Sequence, residues 1–182
     1  MNPIDKIILG LLLLQNRTIY TLRERINKGL NLMYSSSMGS IQSALKKLLA
    51  GGYITSYQKN EGGRKKRYYC ITDSGKERFL KWVNSPMDGE NFKNPELAKL
   101  YFMGMSDKAA RIRNIREYIQ KLEQKHEELK RICEFGESYE PPSGGEEIAK
   151  FQLLSARYGR DMMKFNIDWF QKLCDEMEEE ND

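Results

Sequence analysis

The stretch Ser36–Thr72, SSMGSIQSALKKLLAGGYITSYQKNEGGRKKRYYCIT, decides how this chain is read. Within it Ile41, Ala44, Leu45, Leu48 and Leu49 recur at the spacing of one helix face, so an amphipathic helix is expected over about Met38–Ala50. Gly39, Gln42, Ser43, Lys46 and Lys47 fall on the opposite face, which is small, hydrogen-bonding or cationic and carries no acid. Ser37 is placed to N-cap the helix, turning the free backbone N–H groups of its first turn outward. Gly51-Gly52 ends the helix, and the β-branched and aromatic run Tyr53–Tyr57 predicts a strand. A polar turn at Asn60–Gly63 follows, and Arg64-Lys65-Lys66-Arg67 leads into a second strand, Tyr68–Ile71.

Helix, strand, basic hairpin loop and strand, in that order, form the layout of a winged helix-turn-helix. Its helix can enter a major groove while a cationic wing lies along the phosphates. The candidate DNA contacts are therefore Ser37, Gly39, Ser40, Gln42, Ser43, Lys46 and Lys47 of the helix, with Arg64, Lys65 and Lys66 of the wing. Strand alternation puts Arg67 on the side of Ile71, which predicts a place near the core and an acidic partner. The competing reading is that the wing cations only guard an exposed hairpin edge, but four in a row beside two glycines exceed that need.

The pattern GSIQSALKKLLAGGYIT followed by EGGRKKRYYCITDSGK resembles the PadR family of bacterial transcriptional regulators. Two departures stand in the helix. Met38 occupies a place where the family commonly has proline, and Gln42 one where it commonly has tyrosine. Glutamine can pair with adenine through both N6 and N7, so the resemblance implies an operator differing from that of typical relatives.

Composition supports a division of labour. The first 85 residues hold 15 Lys/Arg against 5 Asp/Glu, a net of +10, and the remainder 15 against 21, a net of −6. A basic half joined to an acidic one is expected when only one half touches nucleic acid. Cys70, Cys133 and Cys174 are odd in number and far apart, no CxxC occurs, and His126 is the only histidine. Neither a disulfide framework nor a metal site is expected, and a reducing cytoplasm fits. Ile7–Leu14 is too short to span a bilayer and lacks the flanks of a signal peptide, so no membrane association is expected.

In chain order, Asn2–Leu14 predicts a first helix with Asn2 as N-cap and Pro3 at its first position. Its apolar positions are Ile4, Ile7, Ile8, Leu11, Leu12 and Leu14. Thr18 is placed to cap a second helix with Thr21, Leu22 and Ile26 inside. Relatives usually have a His-Gly-Tyr-like entry where this chain reads Thr18-Ile19-Tyr20. Thr18 and Tyr20 are candidate phosphate contacts, with a half-buried core role for Tyr20 left open. Gly29–Ser36 reads as a connector. Thr72 or Asp73 caps a further helix whose inward residues are expected to be Phe79, Leu80, Trp82 and Val83. The expected domains are a winged helix-turn-helix at 1–85, a linker at 86–95 and a helical region at 96–182.

That second region is expected to hold a short helix at Glu96–Met103, a long one capped by Ser106 and running to about Glu134, and a last one at about Glu146–Glu179. A 3-4 spacing unites Ile112, Ile115, Ile119, Leu122, His126, Leu129 and Cys133, and likewise Ile148, Phe151, Ser155, Tyr158, Met162, Phe165 and Trp169. Leu154, Met163, Ile167, Phe170, Leu173 and Met177 lie off that seam, a surplus that calls for a second neighbour. The region resembles the C-terminal dimerisation domain of longer PadR relatives. This implies a homodimer on inverted-repeat double-stranded DNA, with Ile112, Ile115, Ile119, Leu122, Met162, Phe165 and Trp169 as dimerisation candidates. It also implies a small aromatic effector, for which Tyr158, Phe165 and Trp169 are candidates, soft and aromatic side chains suiting such a site.

The expected fold is thus mainly α with a small β-hairpin wing, the winged domain being followed by a helical, coiled-coil-like one. No phosphate-cradling glycine loop, HExxH or Cys–His neighbour pair is present, so neither an enzyme nor a cofactor is expected. The leading reading is a dimeric repressor released by an effector. A MarR-like or activating winged-helix regulator, and a helical interaction dimer without DNA binding, remain the alternatives.

Overall fold

The computed structural model describes residues 2–29, 37–87 and 95–179, which divide between two compact units, residues 1–89 and 90–182. The expected connector beyond Gly29 and the linker from residue 88 to 94 lie outside the described residues.

The first unit runs α1 (Pro3–Leu14), α2 (Ile19–Gly29), α3 (Met38–Ala50), β1 (Ile54–Glu61), β2 (Arg64–Ile71) and α4 (Asp73–Val83). Its core gathers Ile4, Ile8, Leu9 and Leu12 of α1, Leu22 and Ile26 of α2, Ile41, Ala44, Leu45 and Leu48 of α3, and Ile54 and Tyr69 at the wing base. These are the periodic positions of three amphipathic helices, each too short to be stable alone, so burial of the shared apolar face holds them. Leu9 is wholly buried, whereas Leu14 is exposed.

Both strands are longer than the apolar runs alone suggest. They pair antiparallel from Ile54↔Ile71 to Glu61↔Arg64, so Asn60, Glu61 and the whole basic run Arg64–Arg67 are strand rather than loop. Only Gly62 and Gly63 form the turn, at φ +57° and +76°. A two-residue hairpin of the type I′ class needs positive φ at both positions, which glycine alone adopts without strain. Arg67 is exposed, because the core ends at Tyr69 and the ladder beyond it projects into solvent.

Of the four side chains expected to face inward from α4, Phe79 alone packs on the core. Leu80, Trp82 and Val83 are exposed, and the Lys6 ammonium sits over the Trp82 ring. Thr21 also faces outward. The Thr72 hydroxyl accepts the Gly75 N–H at 3.1 Å and donates to the Gly52 carbonyl at 2.8 Å, pinning the start of α4 to the end of α3.

The second unit consists of α5 (Pro95–Phe102), a 3₁₀ turn (Met103–Met105), α6 (Lys108–Ser138) and α7 (Glu146–Glu179). Asp107 rather than Ser106 caps α6, accepting the Ala110 N–H at 2.7 Å. The helix continues to Ser138, past the expected end at Glu134. The two long helices pack antiparallel over a core of Ile115, Ile119, Leu122, Phe170 and Cys174, extended by Leu129 and Cys133. Ion pairs Arg116–Glu178 and Arg157–Glu137 bracket the seam.

One expectation is reversed here. On α7 the covered side carries Gly159, Phe170 and Cys174, with Met163, Ile167, Leu173 and Met177 packed beside them. The chosen seam stands outward instead, Ile148, Phe151, Tyr158, Phe165 and Trp169 all being exposed. Both stripes repeat at 3-4 spacing. The periodicity alone does not choose between them, and the face bearing Phe170 and Cys174 is the one covered by α6, with Gly159 beside Leu129.

Candidate nucleic-acid interface

The outward face of α3 is built from its cap. Ser37 Oγ accepts the Ser40 N–H at 3.1 Å, and the Ser40 hydroxyl donates back to the Ser37 carbonyl at 2.8 Å. Those hydroxyls thus hold the helix start, leaving Gly39, Gln42, Ser43 and Lys46 as an exposed polar stripe. Lys47 leaves this stripe: its Nζ lies 2.9 Å from the buried Asp5 carboxylate of α1.

At the entry to α2, Thr18 is buried and its hydroxyl accepts the Thr21 N–H at 3.2 Å, while Thr21 Oγ1 accepts the Thr18 N–H at 3.0 Å. Thr18 therefore shapes the helix start. Tyr20, at 73% exposure, is no core residue. The turn before it is stitched to the wing: Arg17 N–H donates to the Tyr69 carbonyl at 3.2 Å, and Tyr69 N–H donates to that of Arg17 at 2.8 Å. Partial burial, then the nearby Arg25, pulls the Arg17 guanidinium below its ordinary pKa.

The wing's charges are unequal. Lys66 Nζ lies 3.0 Å and Lys59 Nζ 3.1 Å from the Glu61 carboxylate, which also accepts the Tyr68 hydroxyl at 3.1 Å. The Lys66 hydrogen bond first, then those of Lys59 and Tyr68, pulls Glu61 down to about 2. A carboxyl lowered in the fold favours it above the ordinary carboxylate range, and that contribution fades as pH falls toward 2. Arg64, Lys65 and Arg67 are exposed, with no ion pair among the described residues.

Asp5, Arg17 and Glu61 are participants that a reading of the helix face and wing overlooks. Asp5 stands three residues after Asn2, the spacing of a capping box, and its carboxylate accepts the Asn2 N–H at 3.0 Å. Nothing local signals the Arg17 bridge.

In the second unit, Ile115, Ile119 and Leu122 are covered by α7 of their own chain, and Ile112 and Met162 are half-buried. Tyr158, Phe165 and Trp169 are not enclosed within one chain. A groove of about 1040 Å³ lies elsewhere, between α5, α6 and Phe170 of α7. Among the described residues no cluster of His, Cys, Asp and Glu could hold a metal, and no helix is long and apolar enough to cross a membrane.

Three helices, the third presenting a polar face, and a cationic hairpin define a winged helix-turn-helix protein. Residues 8–81 match the transcriptional regulator PadR-like family, and residues 92–178 match the virulence activator alpha C-terminal family. The chain thus carries a PadR-like family domain followed by a virulence activator alpha C-terminal region. The family is one of transcriptional regulators, not enzymes.

Solved structures of similar fold include Bacillus subtilis PadR in complex with operator DNA, at TM-score 0.80 and 22% identity over 97% of this chain and 99% of that one. The smu.1604c protein of Streptococcus mutans UA159 aligns at 0.79 and 27%, over 94% and 98%. The Vibrio cholerae virulence activator AphA aligns at 0.74 and 16%, over 96% and 98%. A comparison with curated proteins gives no match.

Proposed function

We propose that the protein is a homodimeric, sequence-specific repressor that binds an inverted-repeat operator and is released by a small aromatic effector. The observation that carries the DNA-binding part is the exposed stripe of Gly39, Gln42, Ser43 and Lys46, set beside a wing with Arg64 and Lys65 in solvent. Gln42 is the base reader and the wing cations hold phosphate. Two-fold symmetry would match two half-sites spaced by whole helical turns. Bacillus subtilis PadR has been crystallised both with operator DNA and with p-coumaric acid, which supports an effector of that chemical class here. Activation is the second reading, favoured by the match of residues 92–178 to a virulence-activator region.

Fluorescence anisotropy on a duplex from upstream of the protein's own gene, against a scrambled duplex, tests the reading. The upstream duplex should bind more tightly, with affinity falling steeply as salt rises. Gln42→Ala should cost about 1–3 kcal/mol at one base position and nothing on scrambled DNA. Equal losses on both duplexes would remove Gln42 as a base reader. Adding p-coumaric acid should lower the anisotropy of the specific complex if an aromatic effector releases it.

A further inference from the structure

The register of the wing sorts its charges onto two faces. Tyr57, Lys59 and Glu61 of β1 stand opposite Tyr68, Lys66 and Arg64 of β2, so these six share one face. Gln58, Asn60, Lys65 and Arg67 share the other. On the first face the Tyr57 and Tyr68 rings stack at 5.6 Å and 15°. The Tyr68 hydroxyl reaches the Glu61 carboxylate, which also gathers Lys59 and Lys66. One acid thus engages two of the wing's five cations, and a stacked tyrosine holds that acid in place.

We propose that Glu61 is a specificity-determining residue of the wing, limiting the cations it offers to phosphate by holding Lys59 and Lys66 and so restraining sequence-independent binding. The inference rests on the DNA-binding reading above. Sequence-independent affinity grows with every phosphate a protein neutralises, whereas discrimination is the ratio of specific to non-specific binding. A wing with five uncommitted cations would hold any duplex more tightly without reading it better. An exposed ion pair contributes little to stability, so the effect of Glu61 lies in the count of available cations rather than in the hairpin's fold.

The experiment is a salt titration of anisotropy on the upstream and scrambled duplexes. It compares the wild-type chain, Glu61→Gln, Lys59→Met/Lys66→Met and the triple variant. Glu61→Gln should bind the scrambled duplex several-fold more tightly at low salt and narrow the specific-to-scrambled ratio. Its log–log salt slope should steepen by roughly 0.9 for each phosphate newly neutralised. Adding Glu61→Gln to the Lys59→Met/Lys66→Met background should leave the slope unchanged. A wild-type slope and wild-type scrambled affinity in Glu61→Gln would overturn the inference. So would a steepening that persists without the two lysines, since Glu61 would then act by plain repulsion of phosphate. A wild-type chain that binds neither duplex would overturn the DNA-binding reading and this one together, whereas the first two results overturn this one alone.

Discussion

The Asp5 carboxylate, 1% exposed, accepts donors from two helices: the Asn2 N–H of its own helix start and the Lys47 ammonium of α3. A negative charge is favoured at a helix N-terminus, and here it also ties α1 to the helix that presents the polar stripe. Asp5→Ala should therefore cost about 1–3 kcal/mol, by the loss of a cap and a charged hydrogen bond. The figure stays below that of a fully buried pair because Lys47 is half in water and can rehydrate. Urea unfolding measures it, and a cost under roughly 0.5 kcal/mol would place Asp5 among ordinary surface residues. The cap was legible in the spacing of Asn2 and Asp5. The partner was not, since Lys47 is 42 residues away and looks in sequence like one more cation on the exposed face.

At the scale of elements, two glycines behave oppositely for a reason the structure supplies. A Cβ on Gly75 would stand 2.1 Å from the Tyr53 carbonyl oxygen, where the first turn of α4 rests on the wing base. Gly75→Ala must push apart backbone that is also hydrogen-bonded from Thr72 N–H to that same carbonyl at 3.1 Å. A loss of at least about 2 kcal/mol is expected, with weakened DNA binding as the wing shifts. Gly159 is buried in the middle of α7, yet a Cβ there would meet Leu129 at 3.6 Å, an ordinary contact. Gly159→Ala should raise stability by about 0.5–1 kcal/mol through helix propensity alone. Thermal melting of both variants checks the pair, and a destabilising Gly159→Ala would mean that the two long helices pack more tightly than their side chains show. Nothing in the sequence separates these two glycines.

At the scale of the whole molecule, the outward stripe of α7 is the feature a single chain leaves incomplete. Ile148, Phe151, Tyr158, Phe165 and Trp169 form an exposed apolar row along one helix, more than a lone soluble surface ordinarily shows. In the proposed homodimer a second copy would cover this row by two-fold symmetry. Because Phe165 is 58% exposed within one chain, Phe165→Glu should leave helicity unchanged while yielding a 21.3 kDa monomer in sedimentation. That monomer should also lose the preference for an inverted repeat. A dimer that survives Phe165→Glu would move the interface to another face.

The sequence by itself determined what depends on neighbours along the chain. The α3 stripe follows from a 3.6-residue period, its cap from Ser37, and the existence of a wing turn from its glycines, though the expected turn at Asn60–Gly63 narrows in the structure to Gly62 and Gly63. Only the tertiary structure decided what depends on residues far apart. It chose which of two equally periodic faces of α7 meets α6, and it drew Lys47 to Asp5, Arg17 to Tyr69, and Lys59 and Lys66 to Glu61. The physical reason is that periodicity records which positions can share a face. Burial and charge pairing are settled only when whole surfaces compete for the same partner.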